Sequence, residues 1–123
     1  MKYLLLTCII LICGCQDNTP VIGPYSTEGL ASWYSRGPTA SGEKYGQYTC
    51  AMRVREFGGY YLVCNLDNNK CIKVRHNDFG PASRLFKQGR IIDLSREAFA
   101  RIADLKQGLI RVRIGEVSSR KIE

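Results

Sequence analysis

From Gly29 onward the chain is a succession of short apolar runs closed by Gly, Pro, Asn or Asp, the punctuation of β-strands joined by tight turns. The clearest run lies near the end, where Ile110, Val112 and Ile114 alternate with Arg111 and Arg113 between Gly108 and Gly115. Further strands are expected at Leu30–Tyr34, Tyr60–Asn65, Cys71–Arg75 and Arg90–Leu94. One helix stands out: Ser95 is placed to cap it, Glu97 falls in its first turn, and Ala98, Phe99 and Ile102 make an apolar stripe. About six strands and one short helix in roughly 95 residues predict a mainly β fold closed into a small barrel, which removes exposed sheet edges. A chain of 123 residues, 45% hydrophobic and without a long polar tract, has enough apolar side chains for one core and one domain.

The start of the chain has a different character. Lys2 gives one positive charge, an apolar run follows, and the run closes on Gly14-Cys15. That run is about ten residues, where roughly 20 are needed to span a bilayer, so it reads as a signal peptide removed after export. Ile12-Cys13-Gly14-Cys15 fits the bacterial lipobox, in which a small residue precedes a cysteine that is acylated. Residues 1–14 are therefore expected to be a lipoprotein signal peptide and Cys15 the lipidated first residue. Residues 15–27, with Pro20, Gly23 and Pro24, are expected to be a tether, and residues 28–117 the barrel. An ordinary secretory signal cut near Cys13 or Cys15 is the alternative. The expected location is the cell envelope, held to the membrane by the lipid. In a host with two membranes, Gln16 after the lipidated cysteine favours the periplasmic face of the outer one.

Export implies an oxidising compartment, where a disulfide is the expected use of cysteines. Cys64 and Cys71 flank the turn-rich segment Asn65 to Lys70, and both fall on the polar face of the two strands it joins. Their pairing is expected, with Cys50 bonded to either one as the rival. Cys50, Cys64, Cys71 and His76 contain no Cys-x-x-Cys unit, so no metal is expected. No cofactor is expected either.

The functional signal is densest between Val74 and Ser95. Two carboxylates, Asp78 and Asp93, stand at the ends of short apolar runs, with a Gly80-Pro81 turn between them and His76 nearby. Paired acids without a metal-type cluster suit acid/base work on a glycosidic bond. Burial beside apolar or negative groups is what adapts such an acid to proton transfer. Trp33 and Tyr34 offer aromatic faces that can stack on sugars, as can Tyr45, Tyr48, Tyr60 and Tyr61; packing in the core is the competing role for each. The net charge of +7 suits an anionic polymer or lipid head groups, and export argues against nucleic acid.

Five segments in order, Gly29 to Tyr34, Thr39 to Glu43, Val63 with Asn65 to Asn68, Asn77 to Pro81 and Gly89 to Ser95, resemble the rare lipoprotein A family across nearly the whole domain. The resemblance implies a six-stranded double-psi β-barrel with one short α-helix. It also implies a lytic transglycosylase acting on peptidoglycan glycan strands, in characterised members with a preference for strands stripped of stem peptides. A glutamate in the Thr-Ala-Ser-Gly-Glu motif, a following histidine and the aspartate of Asn-Asp-x-Gly-Pro form the family's catalytic set. Glu43 and Asp78 match two of these, while Met52 stands where the histidine would be, and methionine transfers no proton. His76 is the candidate to substitute. The same barrel occurs in expansins and some cellulases, where an aspartate of the Asp-Leu-Ser segment matters, which makes Asp93 the reserve catalytic residue. Asp78 is thus the expected acid/base, Glu43 its assistant, and Trp33, Tyr34, Thr39 and His76 the expected substrate contacts. The chain is expected to act as a monomer. Non-catalytic cell-wall binding of the expansin kind is the alternative, and a disulfide-stabilised inhibitor or interaction module a third.

Overall fold

The alternation at Ile110–Ile114 is that of a strand with one face in the core. In a computed structural model of the chain, Ile110, Val112 and Ile114 are buried while Arg111 and Arg113 face solvent. The structure describes residues 22–35, 37, 39–43 and 47–117. The lipobox and Cys15 lie outside them, as does Tyr45.

Six strands are present: β1 (Ile22–Tyr34), β2 (Thr49–Met52), β3 (Tyr60–Asn65), β4 (Cys71–Phe79), β5 (Arg90–Ser95) and β6 (Ile110–Val117). Two short helices, α1 (Ser83–Lys87) and α2 (Arg96–Ile102), flank β5, and a 3-10 turn spans Leu105–Gln107. The strands close into a barrel of order β1-β5-β2-β4-β3-β6. The pairs β1–β5 and β2–β4 are parallel, and the remaining pairs are antiparallel. Parallel partners cannot be joined by a hairpin, so each pair requires the chain to cross the barrel. This is the closed six-stranded barrel that the family resemblance implied.

Two strand boundaries and two elements differ from the sequence expectation. β1 starts at Ile22, so residues 22–27 belong to a barrel strand instead of the tether, and they pair with β6 from Ile22↔Val117 to Thr27↔Ile114. β4 runs on to Phe79, which makes Asn77 and Asp78 part of a strand end. β2 gave no alternating pattern, because Thr49, Cys50 and Ala51 are all buried. α1 is a second helix that sequence missed; none of its five residues is buried, so it has no apolar stripe to read.

The core gathers side chains from every strand and from α2, including Ala31, Cys50, Val63, Val74, Ile92, Leu94, Phe99, Ile102 and Val112. Burial raises the Cys50 thiol well above its ordinary range, and Asp93 adds to the shift. That keeps Cys50 a neutral apolar residue. Cys64 and Cys71 lie directly opposite each other on β3 and β4 and are disulfide-bonded, with Cα atoms 4.0 Å apart.

Two buried polar residues fasten α2 to the barrel. Ser95 caps the helix by accepting from Ala98 N at 3.2 Å, accepts from Thr49 N at 3.3 Å, and donates to the Gln47 carbonyl at 2.7 Å. One hydroxyl thereby joins β5, α2 and the start of β2, using its donor and both acceptor positions. At the other end of the helix, the Asn65 and Asn68 amides both donate to the Ile102 carbonyl, at 2.8 and 3.0 Å. The Asn-Leu-Asp-Asn segment is therefore a helix clasp. Ser95→Ala is expected to lower unfolding free energy by about 2 kcal/mol, from the lost cap and the buried N–H left without its acceptor; urea denaturation measures it.

Candidate active site

β2 occupies the seat between β4 and β5, and Ala51 is in register with Asp78 on one side and Asp93 on the other. Registered residues on adjacent strands share a face, and two strand spacings put the Cα atoms of the two aspartates about 10 Å apart. Gly80 closes the arrangement. A Cβ there would lie 3.3 Å from Asp93 Oδ2 and 3.5 Å from the Ala51 Cβ, at a φ of +152° that favours glycine.

The two aspartates are held differently. Asp78 Oδ1 accepts from the backbone N–H groups of Ala40 and Phe79, both at 2.9 Å. Its Oδ2 has no hydrogen bond among the described residues. Asp93 Oδ1 accepts from the Ser32 hydroxyl and lies 4.0 Å from Arg90 Nε, and the side chain is only 22% exposed. The structure thus fixes one oxygen of Asp78 and leaves the other available, whereas Asp93 is tied into the packing of β1 and β5.

Glu43 reaches the same region through a self-bonded turn. The Thr39 hydroxyl donates to the Glu43 carbonyl and lies 3.3 Å from the Ser41 hydroxyl, which accepts from Glu43 N at 3.1 Å. Ser41 N donates to the Asn77 carbonyl at 3.2 Å, which docks the turn on β4 beside Asp78. Thr39 is therefore a turn-forming residue here. The Glu43 carboxylate accepts from Arg75 Nε at 3.3 Å, and that bond holds the Arg75 guanidinium above its ordinary range. Arg75 was not singled out from the sequence. Its signal, a cation on the strand that ends in Asp78, is indistinguishable from a solvated charge until the turn folds back. Asn77 Oδ1 is buried, and nothing among the described residues donates to it.

His76 and Trp33 are not surface contacts. His76 is 0% exposed, and its ring nitrogens face two backbone carbonyls, Glu56 at 3.0 Å and Met52 at 3.2 Å. It braces both ends of the segment Arg53-Val54-Arg55 from below, and burial excludes it from substrate contact. The neighbouring Phe57 ring lies 5.2 Å away, centroid to centroid. Trp33 packs against the core and spends its indole N–H on the Leu105 carbonyl at 3.1 Å. Tyr34 is half-buried and in register with Ser95. Met52 packs against the core and lines a depression with Tyr61, Ile91, Ile114 and Glu116. Tyr48 accepts from Arg101 at 2.7 Å, and Tyr60 carries Lys73 and Arg75 over its ring at 5.0 and 5.6 Å.

A groove of about 660 Å³ opens immediately after Asp78, lined by Arg53, Val54, Arg55, Phe79, Gly80 and Pro81. Phe79 is 54% exposed. No local pattern signals this groove, because its two walls are separated in the chain and meet through the β2–β4 pairing.

A model of the lytic transglycolase family matches residues 26–114, which include β5, the docked turn and Asp78. The chain belongs to that family. It is 41% identical over 96 residues to the endolytic peptidoglycan transglycosylase RlpA of Pasteurella multocida, covering 73% of this chain and 31% of that protein. The RlpA of Haemophilus influenzae is 42% identical over 96 residues, covering 73% and 32%. The chain thus spans about a third of the length of the relatives it matches. An expansin from Clavibacter michiganensis shares the fold, with a TM-score of 0.63 at 20% identity over 77% of this chain and 52% of the other. At that identity the likeness concerns the barrel alone.

His76→Leu is expected to cost about 1–3 kcal/mol, because it removes the ring N–H that faces a buried backbone carbonyl while keeping an apolar side chain in the core. Thermal unfolding measures the loss, and an unchanged Tm would show that His76 only fills space.

Proposed function

We propose that this lytic transglycolase domain cleaves the glycan strands of peptidoglycan, with Asp78 as the proton-transfer group. The observation that carries the reading is the asymmetric hold on Asp78: Oδ1 is fixed by two backbone N–H groups and Oδ2 is left without a hydrogen bond among the described residues. A carboxyl group so placed protonates the bridging oxygen as the C1–O bond of the muramic acid residue breaks. The sugar's own 6-hydroxyl attacks C1 and gives its proton to the Asp78 carboxylate, so a 1,6-anhydro end forms and no water is consumed. One carboxyl group serves both steps. Glu43, paired with Arg75, adds negative charge near the positive charge that develops on the sugar. Asp93 supports the site by packing against Gly80.

The names of the relatives support the substrate and the reaction. A second reading, glycan binding without cleavage, is favoured by one observation: Met52 supplies no titratable group in the place where a histidine is expected. Digestion of purified glycan strands separates the two. Wild-type protein is expected to release 1,6-anhydro products, detected by mass spectrometry, and Asp78→Asn to lower the rate by about 100-fold or more. Equal product from both, or none from wild type while sacculi are still bound, would contradict the catalytic reading.

We further propose that the domain works in the cell envelope as a monomer, anchored through a lipid on Cys15. The sequence Ile12-Cys13-Gly14-Cys15 and the apolar run before it support this. Radiolabelled palmitate is expected to label the wild type and not Cys15→Ser; equal labelling of both would sink the assignment.

A further inference from the structure

The groove beside Asp78 has cations on one wall and no acid on any wall. Arg53 donates to the Pro81 carbonyl at 3.2 Å and the Ser83 hydroxyl at 3.1 Å, and its guanidinium stacks 5.1 Å above the Phe86 ring. Those contacts leave its charge uncompensated. Arg55 has neither an ion pair nor a hydrogen bond among the described residues. By contrast, Arg75, Arg111 and Arg113, all exposed or half-exposed on strands, each meet a carboxylate within 3.3 Å. Two adjacent unpaired guanidinium groups beside a candidate active site carry a local positive potential that an anionic ligand group would relieve.

The opposite wall is of another kind. Phe79, half-exposed and packed against Phe57 at 4.5 Å between centroids, offers a flat apolar face of the sort that stacks on the C–H face of a sugar. The His76 ring nitrogens face the Glu56 and Met52 carbonyls at 3.0 and 3.2 Å, which packs the ring against both ends of the segment bearing the two arginines.

We propose that this groove is a subsite for a carboxylated sugar, with Arg55 binding the carboxylate and Phe79 stacking on the ring. The inference rests on the glycan-cleavage reading above and names the feature of the strand that the groove recognises. In peptidoglycan the carboxylated sugar is N-acetylmuramic acid, whose lactyl ether ends in a carboxyl group. Guanidinium binds a carboxylate through two parallel N–H···O bonds, which a neutral alcohol cannot reproduce. Arg55 therefore sets a preference for acidic over neutral glycans of equal length.

Calorimetric titration of the full chain carrying Asp78→Asn tests the preference without turnover. The probes are a tetrasaccharide of two N-acetylglucosamine–N-acetylmuramic acid repeats with free carboxyl groups and the same tetrasaccharide with those groups reduced to alcohols. The acid form is expected to bind about tenfold more tightly, which corresponds to one charge-assisted contact. Adding Arg55→Gln is expected to bring that ratio close to one, mainly by weakening the acid form. Equal affinity for the two forms before Arg55 is changed would overturn the proposal, as would an Arg55→Gln protein that keeps the tenfold ratio. Cleavage by the unsubstituted protein without a preference would count against this subsite alone. A preference without any 1,6-anhydro product would count against the cleavage reading alone. Binding of neither form would sink both.

Discussion

The four residues of β2 are the constraint on which the rest of the barrel and its site depend. They bond β4 in parallel along one edge and β5 in antiparallel along the other, so they close the sheet between two strands that do not pair with each other. Residues that fill such a seat face the interior on both sides, and Thr49, Cys50 and Ala51 are accordingly small and buried. Ala51 is then in register with both aspartates. The side chain in register with both is a buried methyl, and Gly80 packs against it.

Polar groups inside the barrel are nearly all saturated, and those at its mouth are not. Ser95 uses its donor and both acceptor positions, the amides of Asn65 and Asn68 converge on one carbonyl, and the buried His76 ring faces the Glu56 and Met52 carbonyls. An unpaired polar group would cost about 1–3 kcal/mol in such surroundings. At the rim, neither Asp78 Oδ2 nor the Arg55 guanidinium has a hydrogen bond among the described residues. Stability is thus provided by residues that no ligand can reach, and the groups left for chemistry are those that packing does not need.

Much of this was legible in the chain. Turn residues on either side located β3 at Tyr60–Asn65, alternation located most of β6, and Ser95 marked the start of α2 because a serine before an apolar stripe is a local signal. The facing of Cys64 and Cys71 followed from the same two-residue period. What was hidden was long-range. Nothing local distinguishes residues 22–27 from a tether, since their strand exists only through pairing with β6. His76 looked like a surface ligand because its two carbonyl partners come from the segment before β3, and Trp33 looked like a sugar platform because Leu105 is distant in sequence. Asp78 was recognisable from its motif, but the division of labour between its two oxygens was not.

The central claim is that the open oxygen of Asp78 faces the glycosidic bond of a bound glycan. A structure of Asp78→Asn with a peptidoglycan tetrasaccharide tests it most directly. The account predicts the bridging oxygen within about 3.2 Å of the side-chain atom at the Oδ2 position. A glycan bound on another face of the barrel, or one whose nearest glycosidic oxygen lies beyond hydrogen-bond reach of residue 78, would contradict it.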